Sequence, residues 1–335
     1  MQSGERATLS KLETALMDSV DVHQRSDVPY AMFLSGGIDS SAVLALMARL
    51  NDAPVRAYTA GFPGTAAADE RDQARAMAKS VGADHIEVPF DASDFWSSLP
   101  AIAAAMDEPV ADYAILPTWK LAREAAKDHK VILSGEGGDE IFGGYGRYRS
   151  LMRPWWRGGR GMRHRGIMEG LGILRDEDPG WRDGISGAEA ISQIGGRSRL
   201  QVAQAVDCAD WLPNDLLTKL DRCLMAFGVE GRTPLLDPAV ATAAFCLPDS
   251  FKIRGGLGKW ILRKWLEGAA PAAEVFARKK GFTVPVGEWI EAEGARIGPL
   301  VAAQYGVSER CHPDAVSALF VSRGKRGVIG QIAIC

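Results

Sequence analysis

The chain is 335 residues long and 47% hydrophobic, and its 39 basic and 42 acidic side chains leave a formal net charge of -3. That is enough apolar material for one large or two smaller domains, and the charge balance gives no electrostatic reason to expect a nucleic acid or a membrane surface as partner. No apolar run nears the length that spans a bilayer and the N-terminus lacks a signal-peptide core, so a cytoplasmic protein is the expectation.

Leu9, Leu12, Leu16 and Val20 recur at helical spacing and predict an amphipathic helix ahead of the first strand. Residues 28–34 read as that strand, which feeds directly into Ser35-Gly36-Gly37-Ile38-Asp39-Ser40-Ser41. Two adjacent glycines let backbone approach an anion with no Cβ in the way. The N–H groups that open the next helix then face that anion with the positive end of the helix dipole. Asp39 would repel a phosphate by itself, and it makes sense with a metal cation between the two. The Gly-Lys-Ser/Thr ending of a Walker loop is missing. Val43, Leu44, Leu46, Met47 and Leu50 cover too much of the following helix for a surface position, so it packs on the sheet.

Residues 55–60 read as a second strand, 70–81 as a helix closed by Gly82, 85–88 as a third strand, 117–127 as a helix and 131–133 as a fourth strand. Strands alternating with helices imply parallel strands joined by crossovers, and ligands bind such sheets at the carboxyl ends of the strands. The expected fold is α/β: a doubly wound, mostly parallel sheet with helices on both faces, followed by a mainly helical C-terminal layer. A second glycine-rich string, Ser134-Gly135-Glu136-Gly137-Gly138-Asp139-Glu140, follows the fourth strand. Alone it would read as a solvated acidic turn. With the 35–41 string on the same sheet edge, Asp39 and Asp139 are the pair that can share one Mg²⁺, since hard oxygen ligands beside a polyphosphate suit that ion.

The five cysteines, Cys208, Cys223, Cys246, Cys311 and Cys335, form no C-x-x-C pair, and the histidines do not cluster. Zinc ligation and a disulfide framework are disfavoured, and reduced, mostly buried thiols are expected.

SGGIDSS resembles the pyrophosphate-binding PP-loop of the ATP pyrophosphatases, which cleave ATP to AMP and pyrophosphate. The strings VPYAMFLSGGIDSS, VILSGEGGDEIFGGY, DRCLMAFGVEGRTPLLD and GLGKWILRK, in that order, resemble the synthetase domain of the glutamine-dependent asparagine synthetases over residues 11–289. The first two are highly specific together and the latter two support them. The resemblance implies that Mg-ATP adenylates a carboxylate, first among them the aspartate side chain, and that ammonia then displaces AMP to give the amide. Carried over by motif, Leu34 and Ala60 would flank the adenosine, and Ser35, Gly36, Gly37 and Ser40 would hold the pyrophosphate. Ser134 and Gly135 would lie beside the AMP moiety, and Asp39 and Asp139 would take the magnesium.

Lys259 matches the family's catalytic lysine, whose ammonium offsets the charge that builds at the α-phosphorus. Read without the resemblance, it is an ordinary basic residue at a helix start. Glu136 would receive a proton from the attacking ammonia or position it; a related subgroup that closes β-lactam rings carries a tyrosine there. The resemblance divides the chain into a PP-loop ATP-binding α/β core (1–150), an Arg/Gly/Trp-rich connection (151–197) and a mainly helical part that completes the active site (198–335).

Asp107-Glu108-Pro109-Val110-Ala111-Asp112 reads either as a polar loop near the substrate cleft or as a capping turn. Arg278-Lys279-Lys280-Gly281-Phe282 reads either as a basic loop closing over the site or as a solvated cluster, and Glu230, Arg232 and Asp237 as internal ion pairs fixing the helical layer. The 147–165 segment combines arginines with Trp155 and Trp156. Such interleaving can bind nucleic acid or anionic glycan, but the favoured reading is a mobile surface connection whose tryptophans dock on the body, with no nucleic-acid or membrane partner. No cysteine precedes Cys208 and the PP-loop arrives by residue 35, so the family's N-terminal glutaminase domain is read as absent, and the apolar stretch at 328–334 reads as a packed element cut short. The expected partners are a small-molecule carboxylate and ammonia, the latter free or from a glutaminase domain or subunit, with a homodimer as the open oligomeric option. Two alternatives stay open: an amidotransferase or cyclase acting on a sugar uronic acid or a peptide carboxylate, and a non-catalytic nucleotide-binding subunit.

Overall fold

Along the first strand, β1 (Tyr30–Phe33), side chains alternate between two apolar cores, Ala31 entering one and Met32 the other. The computed structural model describes residues 3–65, 70–107, 110–166, 168–176, 180–271, 273, 275–276 and 284–321. Four more strands join β1 in one sheet: β2 (Arg56–Gly61), β3 (Asp84–Pro89), β4 (Val131–Leu133) and β5 (Glu230–Arg232), in the order β3-β2-β1-β4-β5. Every pairing is parallel, with Met32 opposite Ala57, Ala31 opposite Ile132 and Ile132 opposite Gly231. Tyr58, Ala60 and Ile132 point to the Ala31 side, and Ala57, Val131 and Leu133 to the Met32 side. A parallel sheet buried on both faces needs helices on both, so the doubly wound expectation holds.

The Met32 face is covered by α1 (Ser3–Gln24), α2 (Ile38–Leu50) and α3 (Arg71–Ser80), with Leu12, Leu16 and Val20 of α1 buried as their helical spacing requires. The opposite face is covered by α4 (Ala92–Ala105) and α5 (Ile115–Ala125). After β4 come two short helices, α6 (Gly138–Phe142) and α7 (Gly146–Leu151), then α8 (Asp183–Ser192) and α9 (Arg199–Ala209). A π-helical turn, Leu212–Leu217, runs into α10 (Thr218–Met225), which leads to β5. The remaining helices are α11 (Pro238–Phe245), α12 (Asp249–Lys252), α13 (Trp260–Ala269), α14 (Val286–Ala302), α15 (Tyr305–Arg310) and α16 (Pro313–Val321). Helices α11 and α13 join the Met32-side core, while α10, α14 and α16 join the other. No helix among the described residues is long and apolar enough to cross a membrane.

Two sequence expectations are corrected. Glu230 and Arg232 do pair with each other, at 2.8 Å, but on the edge strand β5 and not in the helical layer, and Arg232 also donates to the carbonyls of His23 and Arg25. Asp237 instead caps α11, accepting from the Ala239 N–H at 2.8 Å. A three-residue strand with Gly231 in the middle carries too little β-branched character to be read from sequence.

The second correction concerns the tryptophans. Trp155 and Trp156 do not dock on the body, being 81% and 68% exposed. The arginines hold the segment instead. Asp207 of α9 is fully buried, paired with Arg147 at 2.9 Å and Arg163 at 3.2 Å, and it accepts from the Tyr148 hydroxyl at 2.5 Å. Arg278-Lys279-Lys280-Gly281-Phe282 and the stretch at 328–334 lie outside the described residues.

Candidate active site

The strand order reverses between β1 and β4, since β2 and β3 extend the sheet on one side and β5 on the other. That reversal opens a crevice at the carboxyl ends of β1 and β4, and both glycine strings fall there. Gly36 adopts φ 68°, a conformation open to glycine at little cost. Ser40 Oγ knits the turn, receiving the Ser35 N–H at 3.2 Å and lying 3.1 Å from Ser35 Oγ and 3.3 Å from the Gly37 carbonyl. Ser35 Oγ receives the Gly37 N–H at 3.3 Å. The turn opens α2, which turns the N–H groups and positive dipole end of a helix start toward the crevice, a geometry suited to an anion.

The two strings touch. A Cβ on Gly135 would lie 2.7 Å from Ser40 N, and one on Gly138 would lie 2.3 Å from Asp39 Oδ1. Gly137 at φ 86° and Gly143 at φ 71° bound the five-residue α6. This compaction brings Asp39 and Asp139 to a common point, which Lys259 marks: its Nζ pairs with Asp139 at 2.8 Å and closely with Asp39. Lys259 is 4% exposed and itself adopts φ 57°. Burial alone would lower its pKa, but Asp139 and Asp39 outweigh that and raise it, keeping it an ammonium. The loop carrying it lies flush on α6, with Lys259 N–H bonded to the Phe142 carbonyl at 3.1 Å.

All the residues assigned by motif (Leu34, Ser35, Gly36, Gly37, Asp39, Ser40, Ala60, Ser134, Gly135, Glu136, Asp139 and Lys259) line one cavity of about 760 Å³. Asp112 lines it too, which favours the cleft reading of its loop. Glu136 stands apart from the Lys259 cluster and is held by a second ammonium, Lys219, at 3.2 Å. Glu140 is fully buried, accepts from the Tyr145 hydroxyl at 2.5 Å, and is pushed by burial up to about 7.

Sequence reasoning missed Lys219, Tyr145, Gly144 and Arg149. A Cβ on Gly144 would fall 1.9 Å from Asp139 Oδ1 and 2.1 Å from Lys259 Cε, and Arg149 donates to the Gly144 carbonyl at 2.9 Å. A signal for Lys219 was present, because it interrupts the apolar stripe Leu216, Leu220, Cys223 and Leu224. Among the described residues no group of three or more His, Cys, Asp or Glu side chains converges as a metal site. Asp39 and Asp139 nonetheless suit a hard divalent cation: both carboxylates already meet one positive charge, and phosphate and water oxygens would complete the shell.

The arrangement joins a glycine turn at a helix start, a pair of carboxylates and a buried ammonium on one wall to a third carboxylate on another. The asparagine synthase family model matches residues 11–321. A Mycobacterium tuberculosis protein provisionally named as an asparagine synthetase (glutamine-hydrolyzing) is 36% identical, covering 94% of this chain and 54% of its own length. The Bacillus subtilis asparagine synthetase (glutamine-hydrolyzing) 1 is 32% identical over 88% of this chain and 52% of its own. The Escherichia coli asparagine synthetase B (glutamine-hydrolyzing) is 26% identical over 84% and 46%. The chain thus spans about half the length of the curated relatives it matches. On the matched 11–321 region and the mycobacterial likeness, the chain belongs to the asparagine synthase family.

Proposed function

We propose that the chain is an AMP-forming carboxylate–amide ligase. An oxygen of the acid, foremost the side-chain carboxylate of aspartate, attacks the α-phosphorus of ATP. The bond to the bridging oxygen breaks and pyrophosphate leaves. Ammonia then attacks the acyl carbon, AMP departs with the electron pair of the C–O bond, and the surplus proton passes to Glu136.

The observation that carries this reading is the joining of both glycine strings at the switch point, with Asp39, Asp139 and Lys259 converging there and Glu136 on the same cavity. Leu34 and Ala60 are set to flank the adenosine, Ser35, Gly36, Gly37 and Ser40 to receive the pyrophosphate, and Ser134 and Gly135 to adjoin the AMP. Asp39 and Asp139 would hold Mg²⁺, which would neutralise phosphate charge when bound. Lys259 supplies a positive charge that gains strength as the α-phosphorus becomes more negative. That the relatives are named as glutamine-hydrolyzing favours a glutaminase domain or subunit as the ammonia source.

The test is incubation with ATP, Mg²⁺, ammonium and candidate acids while AMP and pyrophosphate are followed. Aspartate-dependent release supports asparagine formation. Release driven only by a uronic acid or a peptide carboxylate redirects the assignment, and a folded protein that releases no AMP with any acid favours the nucleotide-binding subunit.

A further inference from the structure

Lys219 sits on the apolar face of α10 and is 3% exposed. An ammonium there is costly unless carboxylates pair it. Two do, Asp112 Oδ2 at 2.7 Å and Glu136 Oε1 at 3.2 Å. Burial lowers its pKa, but Glu136 and Asp112 outweigh burial and hold it above its ordinary value. The three groups come from three segments: the loop before α5, the turn after β4, and α10. The loop is pinned again, because Asp215 Oδ1 accepts the Ala111 N–H at 2.9 Å and Asp112 Oδ1 accepts the Ala114 N–H at 2.9 Å. Asp112 is therefore fixed, Lys219 is fixed by Asp112, and Glu136 is fixed by Lys219.

The cavity thus holds two buried ammoniums with separate carboxylates. Lys259 takes Asp39 and Asp139, and Lys219 takes Asp112 and Glu136. We propose that Lys219 is a positioning residue that acts through Glu136, orienting its carboxylate for the amide-forming step while leaving adenylation to the Lys259 cluster. The inference rests on the ligase reading above. In that step nitrogen bonds to the acyl carbon, the bond to AMP breaks, and the N–H proton needs an acceptor held in place. A carboxylate free to rotate would meet it in a minority of orientations.

The experiment measures acid-dependent ATP–pyrophosphate exchange and amide formation from ammonium on the same preparations of wild type, Lys219→Met, Glu136→Gln and the double variant. Lys219→Met should keep exchange within about threefold and lose amide formation on the order of a hundredfold, the range of a displaced acid–base group. In the Glu136→Gln background the Lys219 change should add no further loss. A merely structural lysine would instead lower both steps in parallel, or add its full loss to that of Glu136→Gln, and either result overturns the inference. Where Lys219→Met does not fold, Lys219→Arg keeps the charge but presents a wider, planar head. It should show the same split at about tenfold, and equal loss of both steps overturns the inference again. A wild type that exchanges while the variant loses both steps sinks only the role of Lys219, whereas a wild type with no exchange sinks the ligase reading with it.

Discussion

Gly135→Ala places one methyl group where the two glycine strings meet. The added carbon would stand 2.7 Å from Ser40 N and 3.0 Å from both Asp39 C and Ser40 Cα. Ordinary contact begins at 3.4 Å, so the shortfall is 3.4 minus 2.7, or 0.7 Å. All three neighbours are backbone, so no side-chain rotation relieves the clash and the strings must part by that distance. Overpacking of this kind costs ~1–3 kcal/mol of stability. The reaction should suffer more, because a displacement of about 1 Å in a positioned site costs on the order of 10²-fold. ATP–pyrophosphate exchange should fall ~10–100-fold in kcat/KM for ATP, with circular dichroism still reporting a folded protein. Gly187→Ala is the matched control. It lies inside α8 with nothing within 4 Å of the new carbon, and it should leave exchange intact and stabilise by ~0.5–1 kcal/mol. Exchange within twofold of wild type for Gly135→Ala would refute the claim that both strings jointly hold the nucleotide.

Asp207→Ala removes the buried carboxylate shared by Arg147 and Tyr148 and leaves Arg163 with Asp210, and urea unfolding should show a loss of ~3–5 kcal/mol; under 1 kcal/mol would show that the segment is held some other way. Lys252 is fully buried, donates to Gln204 Oε1 at 2.8 Å and is lowered by burial from 10.5 to about 8. Between pH 8 and 10.5 the unfolded chain therefore binds the extra proton, so stability from this group rises with pH across that window. At ~1.4 kcal/mol per tenfold change in proton affinity, the gain is on the order of 3 kcal/mol. It should appear as a wild-type curve rising against that of Lys252→Met, and parallel curves would contradict the lowering of the Lys252 pKa by burial. Trp155→Ser and Trp156→Ser should each change stability by no more than ~0.5 kcal/mol, whereas a loss above 2 kcal/mol for either would restore the docked reading.

Much of the α/β layer was legible because its signals are local. The strand at 131–133 matches β4 as read, and the helix read at 70–81 appears as Arg71–Ser80 closed by Gly82. The glycine strings announced the switch point, since backbone that must approach an anion or another loop admits few other residues there. Strand β5 was hidden because its place is set by register against β4, not by its own composition. Lys219 and Glu136 lie 83 positions apart, and no spacing rule joins them; only the fold shows that the lysine interrupting an apolar stripe reaches the site. The tryptophans misled because composition alone does not tell a docked aromatic pair from an exposed one. Asp207 supplied the anchor from a helix that carried no sign of it.

Attack of the carboxylate on the α-phosphorus is the central step of the proposed reaction, and oxygen transfer tests it most directly. With aspartate bearing ¹⁸O in its side-chain carboxylate, and ATP, Mg²⁺ and ammonium, mass spectrometry of the products should find one labelled oxygen in AMP and none in pyrophosphate. Label in inorganic phosphate with ADP as co-product, or AMP formed without label, would contradict adenylation.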